Sequence, residues 1–365
     1  MRKSVLLGRV PTVSVAMEQD TNNFTLLRLA LALAVVVSHA FSVTTGRVDD
    51  EPLALLTGFT LGEHAVNGFF AISGFLVTMS FDRRGWWDYV IARTLRIAPG
   101  LIVATLVVAL LLGSLMTALP AAAYLQSEGV WRFIIATLTT YKSNIALPGV
   151  FTENPFRFPM GTVWTLKYEV LCYAAVLGIG IVGFLRWRWA AVALVAGLAA
   201  ALLALDLFNP AAPKGVETAI RLPLIFAFGG ALYVLRDTVR LSAIVVLTFA
   251  TATWLSSDTF LYKTLLFTGT AYAMLWLALS PALTRWHFEP RQDLSYGTYL
   301  YGWPIQQALH AALPAVAPLV LLGPALALTL AVAALSWLAV EKPALALKAK
   351  ALGRRTLKTI EPAAP

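Results

Sequence analysis

Apolar residues fall into long runs separated by short polar intervals, from residue 24 to residue 340. Runs such as 101–119, 190–205 and 318–340 have the roughly 17–25 residues that cross a hydrocarbon core as a helix. In lipid a spanning segment must satisfy its own backbone, so these runs predict α-helices. The residue-by-residue alternation of an outer-membrane barrel is absent. The pattern places about ten transmembrane helices, at 24–44, 63–81, 97–118, 162–185, 190–206, 218–235, 240–256, 260–280, 294–312 and 316–340. The expected fold is therefore all-α, a polytopic integral membrane protein with one helical domain over residues 23–343. No internal repeat of solenoid length and no inverted repeat is visible.

One interval differs from the other loops. Residues 119–161 contain Trp131-Arg132-Phe133-Ile134-Ile135 followed by Pro148, Pro155 and Pro159. An apolar run of about 10–14 residues is more often interfacial or re-entrant than spanning. The segment is expected on the outer face, lying on the membrane or capping a cavity.

Charge then orients the helices. Alternate loops receive Arg83, Arg84, Arg93 and Arg96, then Arg186 and Arg188, Arg236 and Arg240, Arg285 and Arg291, and finally the tail. The opposite loops receive Asp49, Asp50 and Glu51, then Asp206 and Glu217, then Asp258. Lysine and arginine mark the cytoplasmic side, which puts both termini inside. Residues 1–22 read as a cytoplasmic tail, since the stretch around Leu6 and Leu7 is too short for a signal peptide. Residues 344–365, with Lys348, Lys350, Arg354, Arg355 and Lys358, read as a basic cytoplasmic tail.

Composition agrees with this picture. The 365 residues are 59% hydrophobic and 13% charged, about half the charge share of a soluble domain. Mean hydropathy is +0.74. The net charge of +9 is explained by topology rather than by a nucleic-acid partner. A single cysteine, Cys172, excludes an intrachain disulfide and a thiolate metal cluster, and no metal is expected.

Ionisable residues inside spans are costly, so each is a functional candidate. Arg28 and His39 lie in the first span. At about 100° and 1.5 Å per residue they share a helix face and stand roughly 16 Å apart. The plain alternative is a snorkelling arginine and a packed histidine. Arg93 and Arg96, three apart, share a face before the third span, and paired guanidiniums suit phosphate oxygens. Taken alone they are an ordinary positive-inside pair, but Pro99-Gly100 follows at once and predicts a distorted start to that span. Glu169 falls inside the fourth span with Tyr173 one turn deeper, suited either to a structural ion pair or to orienting a histidine. The small residues of Gly68-Phe69-Phe70-Ala71-Ile72-Ser73-Gly74 suit close helix approach. Ser295-Tyr296-Gly297-Thr298-Tyr299, before Pro304, is a polar aromatic stretch of the kind that lines cavities.

In order and spacing these residues resemble the acyltransferase 3 family of membrane acyltransferases, relatives of bacterial O-antigen and Nod-factor acetylating proteins. The resemblance runs from residue 24 to about 343. It rests on Arg28 with His39, on Phe69 to Phe75, on Arg93 with Arg96, on Trp164, Leu166 and Glu169, on Ser295 to Leu300, and on Glu341 with Pro343. Where many members carry a histidine before the proline of the Tyr-Leu stretch, this chain has Gly302-Trp303-Pro304; His310 lies two turns on. The resemblance implies a multi-pass protein of the bacterial inner membrane, without the esterase-like C-terminal domain of some relatives. It implies transfer of an acyl group, acetyl foremost, from cytoplasmic acyl-CoA to a hydroxyl of a cell-surface saccharide such as an exopolysaccharide, O-antigen or lipo-oligosaccharide.

On that basis Arg93 and Arg96 are expected to hold the CoA phosphates. His39 is expected to be the catalytic group, as base or as acyl carrier, with Glu169 orienting it and Arg28 tuning the pair. Trp164, Tyr173, Ser73, Tyr296 and Tyr299 are expected at the substrate. A transporter or flippase of a lipid-linked sugar is the rival from another class. It predicts movement of substrate without CoA.

Overall fold

The computed structural model describes residues 10–285, 288, 290 and 292–351, with side chains through residue 347. Residues 1–9, Arg291, Arg354, Arg355 and Lys358, and the side chains of Lys348 and Lys350, lie outside the described residues. The protein is 77% helix, with no strand among the described residues beyond isolated bridges at Thr12–Arg240 and Thr117–Val150.

A helix forms at each of the ten expected places. They are α1 (Phe24–Thr45), α2 (Leu61–Arg84), α3 (Trp86–Met116), α5 (Trp164–Ile181), α6 (Arg188–Phe208), α7 (Lys214–Val234), α8 (Ala243–Leu255), α9 (Tyr262–Leu279), α10 (Ser295–Ala312) and α11 (Pro318–Leu347), with α4 (Glu128–Thr140) inside the long 119–161 segment. Seven of them, α1, α2, α3, α5, α6, α7 and α11, are long and apolar enough to cross a membrane. The 13-residue α8 is apolar but short. Polar and aromatic side chains lower the hydropathy of α9 and α10.

Local chemistry sets the ends. Asn23, the N-cap of α1, donates its backbone N–H to Ala278 O at 2.9 Å, and α1 stops at Gly46, whose φ of 76° is left-handed. A capping box of Thr60 and Glu63 starts α2. Below the bundle, the short helix Val13–Met17 is bound rather than loose. Its Val13 and Ser14 N–H groups donate to Val239 O and Arg236 O, both at 2.9 Å, and Val13 is fully buried.

The third helix corrects one expectation. It begins at Trp86, so Pro99 lies inside it rather than at a distorted start. Distortion occurs further on, as a π-helical turn at Val107–Leu112. Gly100 makes room for a neighbour. A side chain at Gly100 would meet the Tyr296 ring at 2.6 Å, and Tyr296 donates to Ile97 O at 2.8 Å. A carbonyl oxygen has two lone pairs, so Ile97 O accepts the α10 tyrosine hydroxyl without giving up its place in the helix ladder.

The small residues of α2 do what was expected of them. A Cβ at Gly74 would fall 2.0 Å from Phe226 O, and one at Gly229 would fall 2.2 Å from Ala71 O. Backbone therefore meets backbone along α2 and α7. We expect Gly74→Ala to force these helices apart and lower stability by about 1–3 kcal/mol or more. A melting temperature unchanged from wild type in detergent would contradict that packing.

The 119–161 segment folds over one end of the bundle. Phe133 and Val130 are buried while Trp131 and Ile135 are exposed. Its later part is tied to α10: Asn154 donates to Gln307 O at 2.9 Å, Gln307 donates to Phe156 O at 2.7 Å, and Trp303 Nε1 donates to Phe158 O at 2.9 Å.

Candidate active site

Two cavities lie end to end within the bundle. The first, of about 440 Å³, opens toward the arginine-rich end and collects most of the expected residues. Arg28, Ser73, Arg93, Arg96, Glu169, Tyr173, Tyr296 and Tyr299 all line it. His39 and Trp164 do not. They line the second cavity, of about 690 Å³, which the 119–161 segment walls with Phe156 and Phe158. Val66, Thr165 and Tyr299 line both cavities, so these three side chains form the partition. Tyr299 is fixed there by donating to Thr162 O at 2.7 Å and by a hydrogen bond with Thr165.

Within the first cavity the two arginines of the pair differ. Arg96 is committed: it bonds Asp293 at 2.8 Å and faces Glu341 at 3.9 Å. Arg93 stands over the Tyr173 ring at 5.7 Å, and its buried Nε donates to nothing. Arg93 is thus the arginine with donor capacity left for a ligand. Arg84 adds a second cationic group at the same rim.

Arg28 bonds the same Asp293 oxygen as Arg96, at 2.9 Å. Asp293 also accepts from Ser295 Oγ at 2.6 Å, so one carboxylate joins α1, α3 and the start of α10. Burial alone raises the pKa of this group, but Arg28 and Arg96 outweigh it and hold the carboxyl at about 2.

Glu169 accepts a hydrogen bond from Tyr173 and lies 3.5 Å from Ser73 Oγ. The expectation that it orients His39 therefore fails in this geometry, because Glu169 faces the first cavity and His39 the second. His39 instead meets the edge of Trp303, with ring centroids 4.9 Å apart. Trp303 in turn stacks on Phe158 at 5.4 Å. The position where many relatives carry a histidine thus holds an indole against His39, and His310 is buried further along α10.

The match to known proteins decides the class. The model of the acyltransferase domain family, the acyltransferase 3 type, matches residues 21–338. The chain belongs to this family. It is similar to Nodulation protein 10 of Rhizobium leguminosarum bv. viciae, 30% identical over 92% of this chain and 96% of the relative. It is also similar to an O-acetyl transferase of Shigella phage Sf6, 24% identical over 79% of this chain and 86% of the relative. No solved structure matches. The protein is a multi-pass membrane O-acyltransferase.

Sequence reasoning missed two charged residues of this acyltransferase. Asp293 sits just before a predicted span and reads as a loop acid. Arg221 lies within a predicted span, so the signal that marked Arg28 applied to it equally; it is 1% exposed and lines the second cavity. Among the described residues no cluster of histidine, cysteine and carboxylate side chains has the makings of a metal site.

Proposed function

We propose that this acyltransferase moves an acetyl group from acyl-CoA in the first cavity to a hydroxyl of a saccharide in the second. The observation that carries the reading is the paired cavities, one rimmed by arginines and the other holding His39, in contact across Val66, Thr165 and Tyr299. The helices at the ten expected places, the short α8 among them, cross the inner membrane, the arginine-rich end is cytoplasmic, and both termini are inside. Donor and acceptor then enter from opposite sides of the bilayer.

Arg93 takes the CoA phosphates, aided by Arg96 and Arg84. The pantetheine arm runs past Ser73, Glu169 and Tyr173, whose polar atoms suit its amides, and Arg28 keeps the donor side positive. Its thioester reaches the partition between Tyr296 and Tyr299. On the far side His39 removes the proton from the acceptor hydroxyl. The hydroxyl oxygen attacks the thioester carbonyl, the C–S bond breaks, and His39 returns the proton to the departing thiolate. Trp164 walls the acceptor side. In the alternative route His39 accepts the acetyl group first and passes it on; labelled donor without acceptor would then leave label on the protein.

The test is incubation of membranes with labelled acetyl-CoA and saccharide. Label on the saccharide supports transfer; saccharide crossing the membrane without CoA would favour a flippase. Arg93→Ala is expected to raise KM for acetyl-CoA about 10–100-fold, the loss of a charge-assisted contact worth roughly 1.5–3 kcal/mol. With kcat held, an unchanged KM would remove Arg93 from donor binding.

A further inference from the structure

The second cavity contains a charged group that plays no part in the steps above. Arg221, on α7, lines it while only 1% exposed. Its guanidinium lies 5.3 Å from the Phe59 ring centroid and 5.5 Å from that of Phe267. These contacts fix the group without using its N–H donors. Nε and Nη1 make no hydrogen bond. The nearest carboxylate oxygens, from Glu217 and Glu63, stand 3.7 and 3.8 Å away, too far for a hydrogen bond. Buried donors left unspent are costly, more so on a charged group.

The neighbours explain why those donors stay open. Glu217 is drawn the other way, bonded at 2.8 Å by Lys263, which also bonds Asp206 at 2.7 Å. Glu63 is pinned by its capping role, with Oε2 accepting from Thr60 N at 2.9 Å. Its other oxygen, Oε1, is the one that faces Arg221. A donor fork and an acceptor are therefore held side by side, close but not bonded.

Their place in the fold matters as much. A Cβ at Gly62, the residue before Glu63, would lie 3.0 Å from Ser38 Oγ, and Ser38 precedes His39. The pair thus stands at the level of His39 along the bundle, on the wall of the same cavity.

We propose that Arg221 and Glu63 recognise the acceptor, and that this acceptor presents a neutral, hydroxyl-rich sugar ring. The proposal rests on the acyl-transfer reading. A sugar hydroxyl both accepts and donates, so it takes an N–H from Arg221 and gives its O–H to Glu63 Oε1, filling the gap between them. A uronate fits poorly. Arg221 and Lys263 already face Glu63, Glu217 and Asp206, and another carboxylate deepens that negative excess. The charges nearer the mouth, Arg47, Asp49 and Lys214, are exposed and screened by salt.

The test uses the full chain in lipid nanodiscs with labelled acetyl-CoA, and as acceptors a set of neutral methyl hexosides and the matching methyl uronosides. Neutral glycosides are expected to be acetylated, with the uronosides about tenfold poorer or worse, a difference of about 1.4 kcal/mol. Arg221→Gln is expected to raise KM for the neutral glycoside about tenfold or more, with KM for acetyl-CoA unchanged. If that variant loses thermal stabilisation by acetyl-CoA and so has not folded, Arg221→Lys decides. It keeps the charge between the carboxylates but lacks the fork, and the same rise in glycoside KM is expected. An unchanged glycoside KM in the folded variant, or uronosides used as well as neutral glycosides, overturns the recognition pair and leaves acyl transfer standing. Absence of acetyl transfer to any glycoside overturns both.

Discussion

Replacing His39 with alanine is expected to lower acetyl transfer to saccharide by about 10²–10⁴-fold, the usual contribution of a positioned acid–base group. Binding of acetyl-CoA should be unaffected, because Arg93 and Arg96 line the other cavity. This separation makes the result diagnostic. A collapsed bundle would lose both activities, whereas loss of a proton acceptor removes only the transfer step. The fold should also persist, since His39 contributes mainly one edge contact to Trp303. The measurement is initial transfer rate beside acetyl-CoA affinity by calorimetry. A variant within tenfold of the wild-type rate would take His39 out of the chemistry. Donor-only labelling extends the test: label on the wild type that is lost in His39→Ala would show that the histidine carries the acetyl group.

The helices were legible in the sequence because lipid leaves a spanning backbone so few choices. The start of α3 was not, and the reason is instructive. Residues 86–96 include Asp88, Arg93 and Arg96, which hydropathy reads as a loop; in the fold they form about three turns of helix that put Ala92, Arg93 and Arg96 on a cavity, where charge is tolerated. Arg28, His39 and Glu169 stood out because ionisable groups are rare within spans, and Arg93 with Arg96 because two arginines three apart share a helix face. Their grouping did not follow from the same signal. Face arguments relate residues on one helix, as with Glu169 and Tyr173, which do bond. Whether Glu169 meets His39 depends on how α1, α2 and α5 pack, and the partition of Val66, Thr165 and Tyr299 comes from three separate helices.

Asp293 shows the same limit and supplies the largest expected effect on stability. Its one oxygen Oδ2 binds both Arg28 and Arg96, whose side chains are 25% and 14% exposed beside a carboxylate that is 17% exposed. Asp293→Ala leaves two guanidiniums facing each other at a largely buried site, which is expected to destabilise by about 3–5 kcal/mol. It also removes the oxygen that accepts from Ser295 at the start of α10, worth about 1 kcal/mol more. Asp293→Asn separates the two contributions, since an amide keeps an oxygen for Ser295 but carries no charge. The pH dependence follows from the direction of the shift. The carboxyl is held at about 2 against an ordinary 3.8, so its charge stabilises the folded state fully above 3.8, and that contribution fades as pH falls through 2. The stability gap between wild type and Asp293→Asn should therefore be constant at neutral pH and close only in strong acid. A gap that closes between pH 7 and pH 5 would show that Asp293 does not hold the two arginines together.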